Sequence, residues 1–362
     1  MLLAGSWRVT ASGENHRWGP ALAGPLVLPL DKSDGSEDSC GGKDILAMKR
    51  LHITAIAAAA LLCAASAPAQ GPPPIQPVMM KQLKPDVWAG LGGSGGNSTI
   101  YIGKTGVIVV DAKQTEAGAK DLLAEIAKIT PKPVTTVFLT HSDGDHVNGL
   151  VAYPANVKVI AHENNKKEQQ AAIAAGGRGA PPPDRLPSQV TTKQKEAMTI
   201  DGVKLELYHW GAAHTSGDLI IYSPQNKIVS TGDIVVTNRA DDNPNIHMDK
   251  NGSVEGWMAN VKGMIGLNAD TYVTGHGDIQ TRADLQRKLA AVTERRNKIA
   301  AMVKEGKSLE AIKAALPDAP APGARAAAPP AAPAAAAPAA GRGPAPGFVD
   351  AVYAELTKKK TT

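Results

Sequence analysis

Residues 140–150 read THSDGDHVNGL, which packs His141, Asp143, Asp145 and His146 into one short stretch. Imidazole and carboxylate are the side chains that hold divalent metal ions. Such crowding in a chain with only 9 histidines points to a metal site. The preceding run VTTVFLT (134–140) is β-branched and apolar and reads as a strand. The cluster therefore begins where a strand stops, at the edge of a sheet.

Elements can be read outward in both directions. STIYIGKTGVIVVDAK (98–113) holds two β-rich runs separated by Gly103-Lys-Thr-Gly106, the pattern of a hairpin. TEAGAKDLLAEIAKIT (115–130) places Leu122, Leu123, Ile126 and Ile129 at helical spacing, and Pro131 stops it. VKVIAHE (157–163) is a further strand, followed by a helix to about Ala175. Strands are also expected in 203–211, 218–236 and 271–278, and helices over 253–267, 282–306 and 347–356. The Gly/Pro-rich stretch 174–188 is either a lid or a passive surface insertion. Strands and helices in this order predict an α/β fold, two stacked sheets with helices outside, a four-layer αββα sandwich.

The chain has 362 residues, is 43% hydrophobic and 20% charged, and can bury a sizeable core. A net charge of +5 and 4% aromatic residues give no basic stripe interleaved with aromatics, so nucleic acid is not an expected partner. From Met48, MKRLHITAIAAAALLCAASAPAQ carries a basic start, an apolar run too short to span a bilayer, and Ala67-Pro68-Ala69. Residues 48–69 thus read as a secretory signal peptide cut before Gln70, with 1–47 an over-extended start. The expected localisation is periplasmic or secreted, with no membrane association after cleavage. Residues 70–81 read as a linker, 82–316 as the folded domain, 317–347 as an Ala/Pro-rich disordered linker, and 348–362 as a short helix and tail. Cys40 and Cys63 both lie in the leader, so a metal site in the mature chain must use histidine and carboxylate.

THSDGDHVNG resembles the first metal motif, His-x-His-x-Asp-His, of the metallo-β-lactamase superfamily. Matching segments follow in order: GAAHTSGD with His214, VSTGD with Asp233, and VTGHGD with His276, each at or just after an expected strand end. The resemblance covers roughly 82–306. It implies that His141, residue 143 and His214 hold one metal and that Asp145, His146 and His276 hold a second. Asp233 would bridge them. Two divalent ions are implied, zinc first, with iron or manganese as alternatives. A water between them would be the nucleophile, and Asp145 would orient it and move a proton.

Asp143 departs from the family's pattern, which has histidine there. Three readings stay open: a carboxylate ligand, a side chain too short to reach its metal, or a non-catalytic site. As a ligand, Asp143 would remove one unit of positive charge and weaken the Lewis acid; the flavodiiron branch also carries a carboxylate at this position. Arg239 and His247, in the loop 237–253 after Asp233, are candidate substrate contacts. His209 reads as structural, while His162 either supports the ligands or simply packs. The expected function is secreted metal-dependent hydrolysis of a small ester, lactone, amide or β-lactam-type substrate. Val236 stands where the cysteine-bridged lactamases often carry a lysine for the substrate carboxylate, which weakens the lactam option. The alternatives are a metal-binding accessory protein with an impaired first site, or a thioester hydrolase of glyoxalase II type. A small-molecule partner is expected; the oligomeric state is not legible.

Overall fold

Residues 77–176, 180–319 and 346–358 are described by the computed structural model. The expected leader and most of 317–347 lie outside the described residues. One sheet runs in the order β1 (Val78–Lys84), β2 (Val87–Gly92), β3 (Ser98–Ile102), β4 (Val107–Val110), β5 (Val134–Phe138), β6 (Lys158–His162) and β7 (Gln189–Thr191). Its pairs are antiparallel as far as β4 and parallel from there on. The second sheet contains β8 (Lys195–Ile200), β9 (Val203–Tyr208), β10 (Ile220–Ser223), β11 (Ile228–Val236) and β12 (Thr271–His276), ordered β12-β11-β10-β9-β8. Only β11 and β12 are parallel there.

Parallel neighbours need crossover connections, and helices supply them. α1 (Glu116–Ile129) joins β4 to β5, and the short α2 (Gly144–Val147) lies between β5 and β6. α3 (Glu163–Ala174) follows β6, and α4 (Val254–Gly266) joins β11 to β12. α5 (Arg282–Lys304), α6 (Leu309–Ala315) and α7 (Phe348–Thr357) complete the elements of the described residues. The helix starts are set by their caps: Thr115 accepts from Gly118 N, Ser253 from Gly256 N, and Thr281 with Asp284 forms a capping box.

Alternation along the strands sorts the core into layers. In β4, Ile108 and Val110 meet Leu205, Leu207 and Ile221 of the facing sheet. Val107 and Val109 point the other way, onto Leu122 and Ile126 of α1. Outside the second sheet, Trp257, Val261 and Met264 of α4 pack with α5, α6 and α7 around Tyr222 and Tyr272. Each such fully buried side chain contributes about 1.5–3 kcal/mol. The layers are helix, sheet, sheet, helix, as expected from sequence. No described helix is long and apolar enough to cross a membrane.

The structure also holds strands that the sequence reading lacks. The stretch 70–81, read as linker, gives way to β1 at Val78. β1 was hard to see because it is an edge strand: Met79 is exposed and only Val78 is fully buried. β2, β7 and β8 were likewise not read. Among the described residues of 174–188, Arg185 donates to Pro154 O, Pro187 O accepts from Lys166, and Ser188 pairs with Val159. None of these partners is a ligand residue.

Candidate metal centre

The ligand residues gather at one edge of the sandwich. His141, Asp143, Asp145 and His146 follow β5, with Asp143 at the N-cap of α2 and Asp145 and His146 inside it. His214 lies between β9 and β10, and His276 ends β12. Asp233 corrects the expectation of a strand end, because it lies within β11, three residues before Val236. A break in register makes this possible: Gly232 adopts φ 53° and the β11–β12 pairing shifts on both sides of it. Opposite, a Cβ on Gly275 would stand 1.9 Å from Asp233 Oδ1, so only glycine leaves this carboxylate its place.

The distances form three overlapping groups: His141, Asp143 and His214; Asp145, His146 and His276; and His141, His146 and Asp233. Asp143 Oδ2 lies 3.1 Å from His214 Nε2 and 3.7 Å from His141 Nε2. Asp145 Oδ2 lies 3.0 Å from His276 Nε2. Asp233 reaches both sides, with Oδ1 at 3.2 Å from His146 Nε2 and Oδ2 at 3.9 Å from His214 Nε2 and 3.6 Å from His276 Nε2. The structure thus brings together all seven residues read as ligands.

The outer nitrogens of three rings are fixed. His214 Nδ1 donates to Asn245 O at 2.7 Å, since a carbonyl can only accept. His146 Nδ1 donates to Asp111 Oδ2 at 2.8 Å. Thr140 Oγ1 donates to the same oxygen at 2.8 Å and so accepts from His141 Nδ1 at 2.9 Å. Each ring therefore turns a lone pair at Nε2 inward. Asp111, Thr140 and Asn245 were missed in sequence; the only signal was an aspartate directly after the buried run VIVV.

The charges fit a cation. His141 Nε2 and Asp233 Oδ1 are buried without a hydrogen-bond partner, which costs free energy unless another group serves them. Both aim at the shared interior of the cluster, so the donor set of imidazole nitrogens and carboxylate oxygens fits divalent metal ions. Without metal, protons take their place. Burial opposes the charge on His214, but Asp143 overcomes it and raises the ring to about 9. His146 is raised well above the ordinary imidazole range against its burial, by Asp233 and Asp111. Burial pushes Asp143 and Asp233 up, yet the surrounding histidines hold both below the usual carboxylate range.

The weaker candidates fall apart from one another. His247 Nε2 stands 3.3 Å from Asp143 Oδ2, with its ring edge-on to His214. Arg239 instead faces Asp241 (Nε–Oδ1 3.6 Å), in a cleft shared with Thr237, Gln280, Arg287 and Lys288. His162 and His209 stack on each other with centroids 3.8 Å apart, and His209 Nδ1 donates to Asp218 O. Lys250 was not read from sequence at all. Its ammonium donates to Asp143 Oδ1 and to Ser142 Oγ at 3.0 Å.

A two-sheet sandwich gathering histidine and aspartate at one edge defines a metal-binding, hydrolase-like class of protein. The profile of the Metallo-beta-lactamase superfamily matches residues 91–276, and the chain belongs to that superfamily. Among curated proteins it is 29% identical over 177 residues to the 2,4-dinitroanisole O-demethylase subunit alpha of Nocardioides sp. (strain JS1661), covering 48% of this chain and 50% of that one. It is 25% identical over 211 residues to a metallo-beta-lactamase type 2 of Bacillus sp. (strain 170), covering 56% of this chain and 77% of that one. Among solved structures, the sec-alkylsulfatase Pisa1 from Pseudomonas sp. is similar with a TM-score of 0.57 at 20% identity, over 67% of this chain and 46% of that one. The chain thus spans about half the length of the demethylase subunit and of the alkylsulfatase.

Proposed function

We propose that the protein is a secreted metal-dependent hydrolase acting on a small ester, lactone, amide or β-lactam-type substrate. One observation carries this reading. Two ligand trios face each other across Asp233, and His141 Nε2 and Asp233 Oδ1 are buried there without hydrogen-bond partners. Two divalent ions held there would polarise the scissile group and lower the pKa of water. Zinc is the first choice for this donor set, and iron and manganese also accept it.

The chain's own residues divide the remaining work. Asp233 would sit between the two cations and offset their repulsion. Asp145 is the most exposed carboxylate of the cluster, at 31% against 15% for Asp143 and 9% for Asp233. It would orient the attacking water and carry its proton to the leaving group. His247 borders the first trio and is the better placed candidate for substrate contact; Arg239 would contact only a substrate reaching into the cleft by Thr237. The relatives' names span a lactamase, an O-demethylase subunit and a sec-alkylsulfatase, and the proposed substrate class follows the family resemblance of the motifs. The leader at 48–69 supports export.

The test is elemental analysis of the purified protein together with chromogenic lactam, lactone, ester, thioester and phosphodiester substrates. The panel is run after loading with zinc, manganese or iron. Metal binding with turnover of an acyl substrate is expected. A protein that takes up no metal, or that is metal-loaded and inert on the whole panel, sinks the proposal.

A further inference from the structure

Asp143 stands where the family's motif has histidine, and its two oxygens are used differently. Oδ2 faces inward, to His214 Nε2 at 3.1 Å and His141 Nε2 at 3.7 Å. Oδ1 faces outward and accepts from the Lys250 ammonium. Lys250 is sequence-distant from Asp143, 107 positions away, and its approach is fixed by backbone stitching. It closes a short 3-10 turn, Met248–Lys250, followed by Asn251 at φ 54°. Lys250 O accepts from Ser216 N at 2.9 Å, and His247 N donates to His214 O at 2.9 Å. The turn is therefore bound to the loop that carries the ligand His214. Ser142 Oγ, the second acceptor of the ammonium, donates in turn to Glu168 Oε2 at 2.6 Å. Glu168 Oε1 holds Ser216 Oγ at 2.6 Å. Lys250 thus sits in a closed network that joins the loop of Asp143 to the loop of His214.

We propose that Asp143 and Lys250 act as one unit in place of the motif's missing imidazole, with Lys250 as the positioning residue for the first metal. Two physical consequences follow from the geometry. With Oδ1 occupied by the ammonium, Asp143 presents a single oxygen inward and would offer a metal one donor atom, as an imidazole nitrogen would. The ammonium also returns the unit of positive charge that the carboxylate removes, so the pair carries the neutral charge of the histidine it replaces. Metal-ligating carboxylates are ordinarily held by such an outer partner, and losing it costs roughly 10–100-fold in metal affinity. The inference rests on reading His141, Asp143 and His214 as a metal-binding trio.

The contrary reading is that the ammonium competes with a metal for Asp143, and the two readings differ in sign. The experiment uses the purified protein with zinc alone, titrated against a chromophoric chelator, with circular dichroism to establish folding. No enzymatic activity is needed. Lys250→Met is expected to weaken the first zinc by about 10–100-fold, and Lys250→Arg to retain it. In an Asp143→His background the carboxylate is gone and the ammonium is only a like charge beside the metal. There, Lys250→Met is expected to strengthen zinc binding or leave it unchanged. Lys250→Met binding zinc as tightly as wild type, or more tightly, overturns the proposal, as does the same loss in both backgrounds. A wild-type protein that binds no zinc, iron or manganese instead removes the metal site itself and with it the proposed function.

Discussion

Asp111→Asn tests how the two trios are wired together. Asp111 is 2% exposed and sits at φ 64°, a conformation asparagine tolerates, so the backbone survives the change. One carboxylate oxygen accepts from Thr140 N at 2.8 Å; the other accepts from Thr140 Oγ1 and His146 Nδ1, both at 2.8 Å. An amide keeps one acceptor oxygen and makes the other position a donor. The oxygen must stay on Thr140 N, because a backbone N–H cannot reverse. The new NH2 then faces two groups that both donate, and each has to turn. His146 moves its proton from Nδ1 to Nε2. The Thr140 hydroxyl swings to donate to His141 Nδ1, which sends that ring's proton to Nε2 as well. One isosteric change so removes two inward lone pairs, one from each trio.

The size of the effect follows from the outer partners of metal-binding histidines. Each is worth roughly 10–100-fold in affinity, or about 1.4–2.7 kcal/mol per site. Since Asp111 serves a ring in both trios, metal-linked stability should fall by about 3–5 kcal/mol. Chelator competition reads the affinities, and long-range proton–nitrogen NMR spectra of the imidazoles read which nitrogen holds the proton. An Asp111→Asn protein that binds both metals within about threefold of wild type, against the expected tenfold or more, refutes this wiring. So does a His146 ring that keeps its proton on Nδ1.

Other expectations are as direct. His214→Ala and Asp233→Ala should each abolish turnover while the fold persists, with Asp233→Ala also lowering metal content; wild-type activity in either metal-loaded variant removes that residue from the mechanism. Burial and the stacked His209 push His162 down to about 4. The unfolded ring binds its proton near pH 6.5 and the folded ring refuses it until about pH 4, so this residue costs stability as pH falls through that window, at most about 3 kcal/mol. His162→Asn keeps an acceptor for Asn164 N and should flatten the acid-side loss; urea midpoints at pH 6.5 and 4.5 that fall equally in both proteins would rule this out. The exported protein should begin near Gln70, which N-terminal sequencing of the periplasmic fraction decides.

What the sequence made legible was local. The motif around His141, the apolar spacing of 115–130 and the two β-rich runs of 98–113 each carry their information within a few residues, so periodicity and spacing suffice. β1 was lost because an edge strand with exposed Met79 and two lysines, Lys81 and Lys84, lacks the clean alternation of a half-buried strand. Asp233 was mislocated because a glycine in a left-handed conformation lets a strand carry a ligand in its interior, and glycine alone does not announce a break in register.

Asp143 shows where local reading stops. Its identity is plain, and as a ligand it implies a weaker Lewis acid with one positive charge fewer. That deduction holds only while Asp143 is counted alone. The compensating group, Lys250, belongs to no motif and lies in a loop whose position is set by hydrogen bonds to His214 and Ser216. A substitution inside a metal motif is therefore interpretable only with the residues that hold its outer face. Those residues come from loops, where the chain is free to vary while the strands that aim the ligands stay fixed. In this protein the apparent defect at position 143 and the unread lysine at 250 explain one another.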